Sequence, residues 1–399
     1  TRKPMVGVGR YTSPDTMASL VRRGVLDLIG AARPSIADPF LPQKIQEGRV
    51  DEIRECIGCN ICVSGDHTST PLRCTQNPTM GEEWRRGWHP ERVAPKRNPG
   101  RALVVGAGPA GLECARVLGA RGVEVMLAEA SRTLGGRVAN ESKLPGLSSW
   151  GRVVDYRVDA LNRLETVEIY RESRLEVQDV FDLGVEHVFV ATGSHWRNDG
   201  LGRALRQPLT GLENIEVFTP DQVMAGAVLP SPVLLFDDDH YYMGNVLAEL
   251  LVAQGIEVIF VTPAPDVATW THNTLEQHRI QRRLLELNVT ILASHSLLTV
   301  TPEGVMACCV YTGRPRLVEA AAMLLVTSRE PEQGLHDALN AQPQALVEAG
   351  IQTVAMLGDC LAPGTIAAAV YSGHRMAREF DVPVPERAMQ REIPALYMP

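Results

Sequence analysis

The run from Arg101 to Glu129 restricts the fold more than any other part of this sequence. An apolar strand, Ala102 to Val105, leads into a glycine turn, an amphipathic helix from Ala110 to Arg121 and a second strand, Val123 to Glu129. That order is one βαβ unit. Its two strands are parallel, so the helix must cross over one face of the sheet, and this part of the chain is committed to a layered α/β architecture. A second unit of the same type runs from the strand at Val233 through a helix from Val246 to Gln254 and on to a strand from Glu257 to Val261. Two such units predict two nucleotide-binding-type, Rossmann-like three-layer domains. The stretches Met323 to Val326 and Val354 to Phe380 read as strands followed by a helix, and are expected to complete the first domain.

The turns that head the two units differ in chemistry. Gly106-Ala107-Gly108-Pro109-Ala110-Gly111 follows a strand and opens a helix, where glycines permit a tight turn and let a pyrophosphate approach the positive helix end. Glu129 closes the next strand, where an acid accepts hydrogen bonds from an adenosine ribose. An adenine nucleotide, FAD or ADP, is the expected ligand; a tight turn without a ligand is the alternative. Gly135, Gly136 and Arg137, the run Ala191-Thr192-Gly193, and Gly358 with Asp359 add further candidate close-approach positions. In the second unit the corresponding stretch is Asp237-Asp238-Asp239-His240-Tyr241-Tyr242-Met243-Gly244. Carboxylates there repel a pyrophosphate and side chains obstruct it, so this half is expected not to bind NAD(P)H. Helix capping by the aspartates is preferred to a metal site, because consecutive side chains point in different directions.

Four of the eight cysteines cluster as Cys56, Cys59, Cys62 and Cys74. Three on one compact turn and a fourth further on suit a 4Fe-4S cubane; tetrahedral zinc more often takes two separated pairs. Such clustering without a secretion signal points to a reducing, cytoplasmic compartment and not to a disulfide framework. Cys114, Cys308, Cys309 and Cys360 lie in apolar stretches.

The remaining segments set the domain plan. Residues 1–48 alternate strands and helices, with a strand Met5 to Val8, a helix launched at Ser13-Pro14-Asp15, a strand Leu26 to Ala31 and a helix Ala37 to Gln46. Residues 49–98 are polar and cysteine-bearing, and are expected to be an irregular linker ending in the turn Pro95 to Gly100. The nucleotide domain is expected over 99–228 and 323–399, with the degenerate one over 229–322. A formal charge of −8, with 39 basic residues scattered among 47 acidic ones, offers no stripe for nucleic acid. The most apolar run, Leu247 to Val261, is interrupted by Glu249, Gln254 and Glu257, so no membrane span is expected. Thr1 is followed by no signal-peptide pattern, and the chain is expected to begin inside a longer one.

Several stretches carry a resemblance to a known family. Gly7-Val8-Gly9-Arg10-Tyr11, the run from Ala32 to Pro42 (ARPSIADPFLP), Cys56-Ile57-Gly58-Cys59-Asn60-Ile61-Cys62 and Gly87-Trp88-His89-Pro90 resemble the trimethylamine dehydrogenase and dienoyl-CoA reductase group of iron–sulfur flavoproteins. The likeness spans essentially the whole chain. It implies that residues 1–48 are the last strands of an FMN-binding (β/α)8 barrel, with Gly9, Arg10, Ala32 and Arg33 on the FMN phosphate and the four cysteines on the cluster. The Asp-Asp-Asp-His-Tyr-Tyr-Met-Gly loop is similar to the branch that demethylates N-methylated amino acids such as dimethylglycine or N-methylproline. The implied activity is oxidative N-demethylation of a small methylated amine, with electrons leaving to an electron-transfer flavoprotein or an iron–sulfur subunit. The resemblance leaves a homo-oligomer open. The alternatives are an NADPH-dependent enoyl reductase, which needs a working second nucleotide site, and a non-catalytic electron-transfer subunit. No catalytic residue is named by these segments.

Overall fold

The computed structural model describes residues 3–97 and 100–382, and forms two compact units. The expected turn at Asn98-Pro99 and the last part of the expected nucleotide domain, 383–399, lie outside the described residues.

One unit comprises residues up to 139, then 149–193, and the chain from Glu332 onward. Its sheet is parallel, in the order Thr353–Met356, His187–Val190, Arg101–Val105, Glu124–Ala128, Val167–Tyr170. The inner strand His187–Val190 is buried at every position, as a strand covered on both faces must be. One cover is apolar packing from helices Pro109–Ala120, Arg152–Asn162 and Ile366–Glu379, through Leu112, Leu161 and Ala369. On the other face lie Val180 and Leu339, from helices Val177–Asp182 and Gly334–Asn340.

The same unit begins with a two-stranded parallel pair, Val6–Val8 with Leu28–Gly30, joined by helix Pro14–Arg22. Ser13 caps that helix, its Oγ accepting from Thr16 N at 3.3 Å. The helix expected from Ala37 to Gln46 is two helices, Ala32–Ala37 and Leu41–Gln46. Asp38 breaks it. As the residue before Pro39 it takes an extended backbone (φ −139°), and its buried carboxylate accepts from Lys44 Nζ at 2.7 Å and Arg54 N at 2.9 Å. Residues 49–98, expected to be irregular, hold a helix Ile61–Thr68 that starts from a left-handed Asn60 without a side-chain cap.

The other unit is 140–148 with 194–331. Its parallel sheet has the order Thr290–Leu292, Val258–Val261, Val233–Asp237, Ala322–Val326, Glu216–Phe218, and an antiparallel sheet of His295–Thr301, Gly304–Cys309 and Pro315–Val318 is added. Two expectations are corrected. Met323 to Val326 does not return to the first domain but pairs with Val233–Asp237, in register Ala322 to Val233. All five residues of Ala322–Val326 are buried, so the strand needed a central place, and apolar content alone cannot say in which sheet. Residues 194–228, expected in the first domain, belong with this second unit because Glu216–Phe218 forms its edge.

Candidate functional site

The cysteine segment is shaped by backbone that favours few residues. Gly58 and Asn60 both have positive φ (+74° and +54°), so the chain turns sharply on either side of Cys59, and Cys62 sits in the first turn of helix Ile61–Thr68. The four thiols feel one another. Burial, then the proximity of Cys59 and Cys56, pushes Cys74 up to about 12. Burial pushes Cys59 to about 11, opposed by the Thr75 hydroxyl 3.1 Å from its Sγ and reinforced by Cys56 and Cys62. Cys62 is raised by burial and by Cys56, with Arg33 opposing. Burial and neighbouring thiolates thus oppose ionisation of Cys59, Cys62 and Cys74 unless a cation lies among them, and that donor set fits a metal cluster. Among the described residues, no three His, Cys, Asp or Glu side chains converge as a single metal ion requires. The other four cysteines divide. Cys114 and Cys360 are buried, whereas Cys308 and Cys309 are only part-buried.

Arg10 and Arg33 follow the two N-terminal strands and both reach this segment. Arg10 donates to the Cys56 carbonyl at 2.9 Å, and Arg33 donates to Asn60 Oδ1 at 2.5 Å. Gly9 N donates to Gly30 O, and Ala32 opens the next helix. Thr75 lies outside every sequence motif and only its contact with Cys59 identifies it, whereas Asn60 lies within the Cys56 to Cys62 run.

The nucleotide head is built by close approach. A Cβ at Gly111 would sit 1.9 Å from Gly106 O, and one at Gly106 (φ +102°) 2.4 Å from Ala191 O. At Gly108, which caps helix Pro109–Ala120, a Cβ would meet nothing within 4 Å. Two of the three glycines are therefore required by the fold, and the third faces open space where a phosphate would lie. Ala110, just inside the helix, is approached by Gly358, whose added Cβ would sit 2.5 Å from the Ala110 side chain. A Cβ at Gly135 (φ +111°) would sit 2.7 Å from the Val154 side chain, and one at Gly136 (φ +53°) 3.0 Å from Gly108 Cα. Arg137 reaches Asp359 Oδ2 at 3.3 Å. The Glu129 carboxylate accepts from Ala107 N and Ser131 N, both at 2.8 Å, and is thereby aimed at the glycine turn. Beside it opens a cavity of about 710 Å³ lined by Gly106, Glu129, Arg174, Gln178, Thr192 and Leu335. The size suits an adenosine. The structure thus brings the eleven candidate nucleotide positions (Gly106, Gly108 to Gly111, Glu129, Gly135 to Arg137, Gly358 and Asp359) around one helix end; the far wall, from 173–178 and 334–338, carries no motif.

The head of the second unit is filled by its own side chains. Asp237 and Asp238 are fully buried. Burial, then the Asp239 charge, pushes Asp237 up to about 7, although His240 opposes. Its Oδ1 accepts from His240 N at 3.2 Å, and Asp238 Oδ2 accepts from Ala204 N at 2.7 Å. His240, at φ +63°, lies 3.2 Å from Asp238 Oδ1. The capping expectation is corrected. Helix Met243–Ala253 has Tyr242 at its N-cap with no side-chain cap, because Asp237 ends the strand and the buried Asp237 and Asp238 carboxylates accept from His240 N and Ala204 N instead. Tyr241 packs edge-on against Tyr242 and Trp270, each at 4.8 Å between ring centres, and Tyr242 donates to Glu141 Oε2 at 2.7 Å.

Residues 1–52 match the NADH:flavin oxidoreductase / NADH oxidase family, 104–172 an NAD(P)-binding Rossmann-like domain, and 218–312 an OYE-like second alpha/beta domain. The chain is 38% identical to dimethylamine dehydrogenase of Hyphomicrobium sp. (strain x), over 96% of its own length and 55% of that protein. The structure of histamine dehydrogenase from Rhizobium sp. 4-9 superposes with a TM-score of 0.96 at 52% identity, covering 98% of this chain and 58% of that one. A probable N-methylproline demethylase of Rhizobium meliloti (strain 1021) is 28% identical over 76% of this chain and 43% of that protein. The chain therefore spans little more than half the length of its nearer relatives. No helix among the described residues is long and apolar enough to cross a membrane. With its parallel α/β sheets, its four-cysteine segment and its open glycine head, the chain belongs to the trimethylamine/dimethylamine dehydrogenase-like NADH:flavin oxidoreductase family.

Proposed function

We propose that this chain is part of a flavin-dependent amine dehydrogenase with FMN, a 4Fe-4S cluster and a bound adenine nucleotide. The observation that carries the reading is the meeting of the two strand-end arginines, Arg10 and Arg33, with the four-cysteine segment. The pair Val6–Val8 and Leu28–Gly30 is read as the last two strands of the barrel; the exposure of Val6, Val8 and Leu28 supports apolar neighbours on that side.

The FMN, when bound, would accept two electrons from the amine, and the cluster would carry them one at a time. The chain's own residues hold the parts in place. Arg33 and Arg10 offer forked cations for a phosphate dianion while bracing the turn of Cys56 to Asn60. Gly106, Gly108 and the first turn of helix Pro109–Ala120 present backbone N–H groups to a pyrophosphate, and Glu129 accepts from the ribose. The net reaction converts a methylated amine, water and an oxidised acceptor to formaldehyde, the demethylated amine and the reduced acceptor, which is an electron-transfer flavoprotein or an iron–sulfur protein.

A second reading, oxidation of a primary amine, is favoured by the 52% identity to a histamine dehydrogenase. The enoyl reductase is disfavoured by the filled head at Asp237 to Tyr242, since it requires NADPH there. A full-length protein carrying this chain, mixed anaerobically with dimethylamine, trimethylamine, dimethylglycine, N-methylproline or histamine, should show flavin bleaching with at least one amine. Bleaching by NADH or NADPH at turnover rate, with none of the amines active, would overturn the proposal.

A further inference from the structure

A buried polar chain ties the cysteine segment to the nucleotide helix. Gln76, two residues after Cys74 and 1% exposed, donates from Nε2 to the carbonyls of Glu55 and Arg152, both at 3.1 Å. Its Oε1 accepts from Arg157 NH1 at 2.9 Å, and Arg157 NH2 donates to the Gln76 carbonyl at 3.3 Å. One glutamine side chain thus holds the residue before Cys56 and the residues after Cys74 together. Arg157 Nε lies 2.9 Å from Glu113 Oε2, and Glu113 is one turn inside helix Pro109–Ala120. Arg157, Glu113 and His374 are all at most 1% exposed.

The far end of the chain returns to the same segment. Burial drives His374 down to about 4, so its ring is neutral. Nδ1 then donates to Glu113 Oε1 at 2.8 Å while Nε2 accepts from Arg378 Nε at 2.7 Å. Arg378 NH2 donates to the His89 carbonyl at 2.8 Å. Burial also pushes the Glu113 carboxyl up, but Arg116, Arg157 and His374 outweigh it and hold it well below the usual range. Buried ions of this kind are retained only when fully partnered, and removing one member leaves the others uncompensated.

We propose that Gln76, Arg157 and Glu113 are positioning residues that clamp both ends of the four-cysteine segment to helix Pro109–Ala120, so that a nucleotide bound at the head of that helix also stabilises the cluster. The inference rests on the cluster and nucleotide readings given above. A ligand that binds only the ordered helix end disfavours every opening that unseats the helix, and iron lost through such an opening is lost more slowly.

The test uses the full-length protein carrying this chain, purified anaerobically and stripped of nucleotide by dialysis. Iron release to a ferrous chelator is timed with and without millimolar ADP, and the spin-resonance spectrum of the reduced cluster is recorded. Wild-type protein should release iron several-fold more slowly with ADP. Gln76→Met should release iron at least tenfold faster than wild type, shift the cluster signal and lose the ADP effect. Arg157→Lys keeps the charge beside Glu113 but not the fork on Gln76, and should give an intermediate rate; it decides the matter if Gln76→Met does not accumulate. Absence of iron from the wild type defeats the cluster reading itself. Iron present, with variants matching wild type in rate, spectrum and ADP response, overturns the clamp alone.

Discussion

The two βαβ heads have the same backbone plan and opposite interiors. At Gly106 to Gly111 the strand ends in glycines, and the cap residue Gly108 faces empty space. At Asp237 to Gly244 the same position in the fold is occupied by two buried aspartates, a histidine at positive φ and a pair of packed tyrosines. The fold therefore does not decide whether a nucleotide binds; the volume and charge left at the head of the helix do.

Gly111→Val should have the largest effect on this contrast. Its side chain would overlap Gly106 O, so the first head must deform, with an expected loss of about 4 kcal/mol or more in denaturant unfolding. An unchanged midpoint would show that the close approach is not rigid.

Asp237→Asn probes the second head through pH. Burial pushes Asp237 up to about 7 in the folded chain against an ordinary 3.8, so between those values the unfolded chain has released a proton that the folded chain keeps. Stability falls as pH rises through that window, by an amount on the order of 4 kcal/mol at most for one fully shifted group. The asparagine variant should match wild type near pH 4 and be more stable at pH 8, read from melting curves across the range. Parallel pH profiles for the two proteins would contradict the burial of this carboxyl.

Tyr242→Phe should have the smallest effect. Losing the hydrogen bond to Glu141 should cost about 1 kcal/mol and leave nucleotide content unchanged. A drop in bound nucleotide would mean that the second head takes part in binding after all.

How much of this was legible in the sequence depends on range. The glycine head and Glu129 announce themselves because their roles are local: a turn, a helix end and a strand end lie within one unit. The cysteine spacing is local in the same way. The all-apolar strand Ala322–Val326 carries no label for its partner, and the place of residues 194–228 follows from that same pairing through Glu216–Phe218. Helix Ile61–Thr68 was hidden by its left-handed start and lack of a side-chain cap. The Gln76–Arg157–Glu113 chain joins residues far apart in sequence, and no spacing rule reveals such contacts.

The most direct test of the contrast is the adenine content of the purified full-length protein carrying this chain. Denaturing release should give one adenine nucleotide per chain in wild type. His240→Asn, which tolerates the positive φ, should still give one. Gly108→Val, which puts a branched side chain into the open phosphate space, should give almost none while shifting stability by only about 1 kcal/mol. Two nucleotides per chain in wild type, or full retention in Gly108→Val with loss in His240→Asn, would contradict the assignment of the nucleotide to the first head.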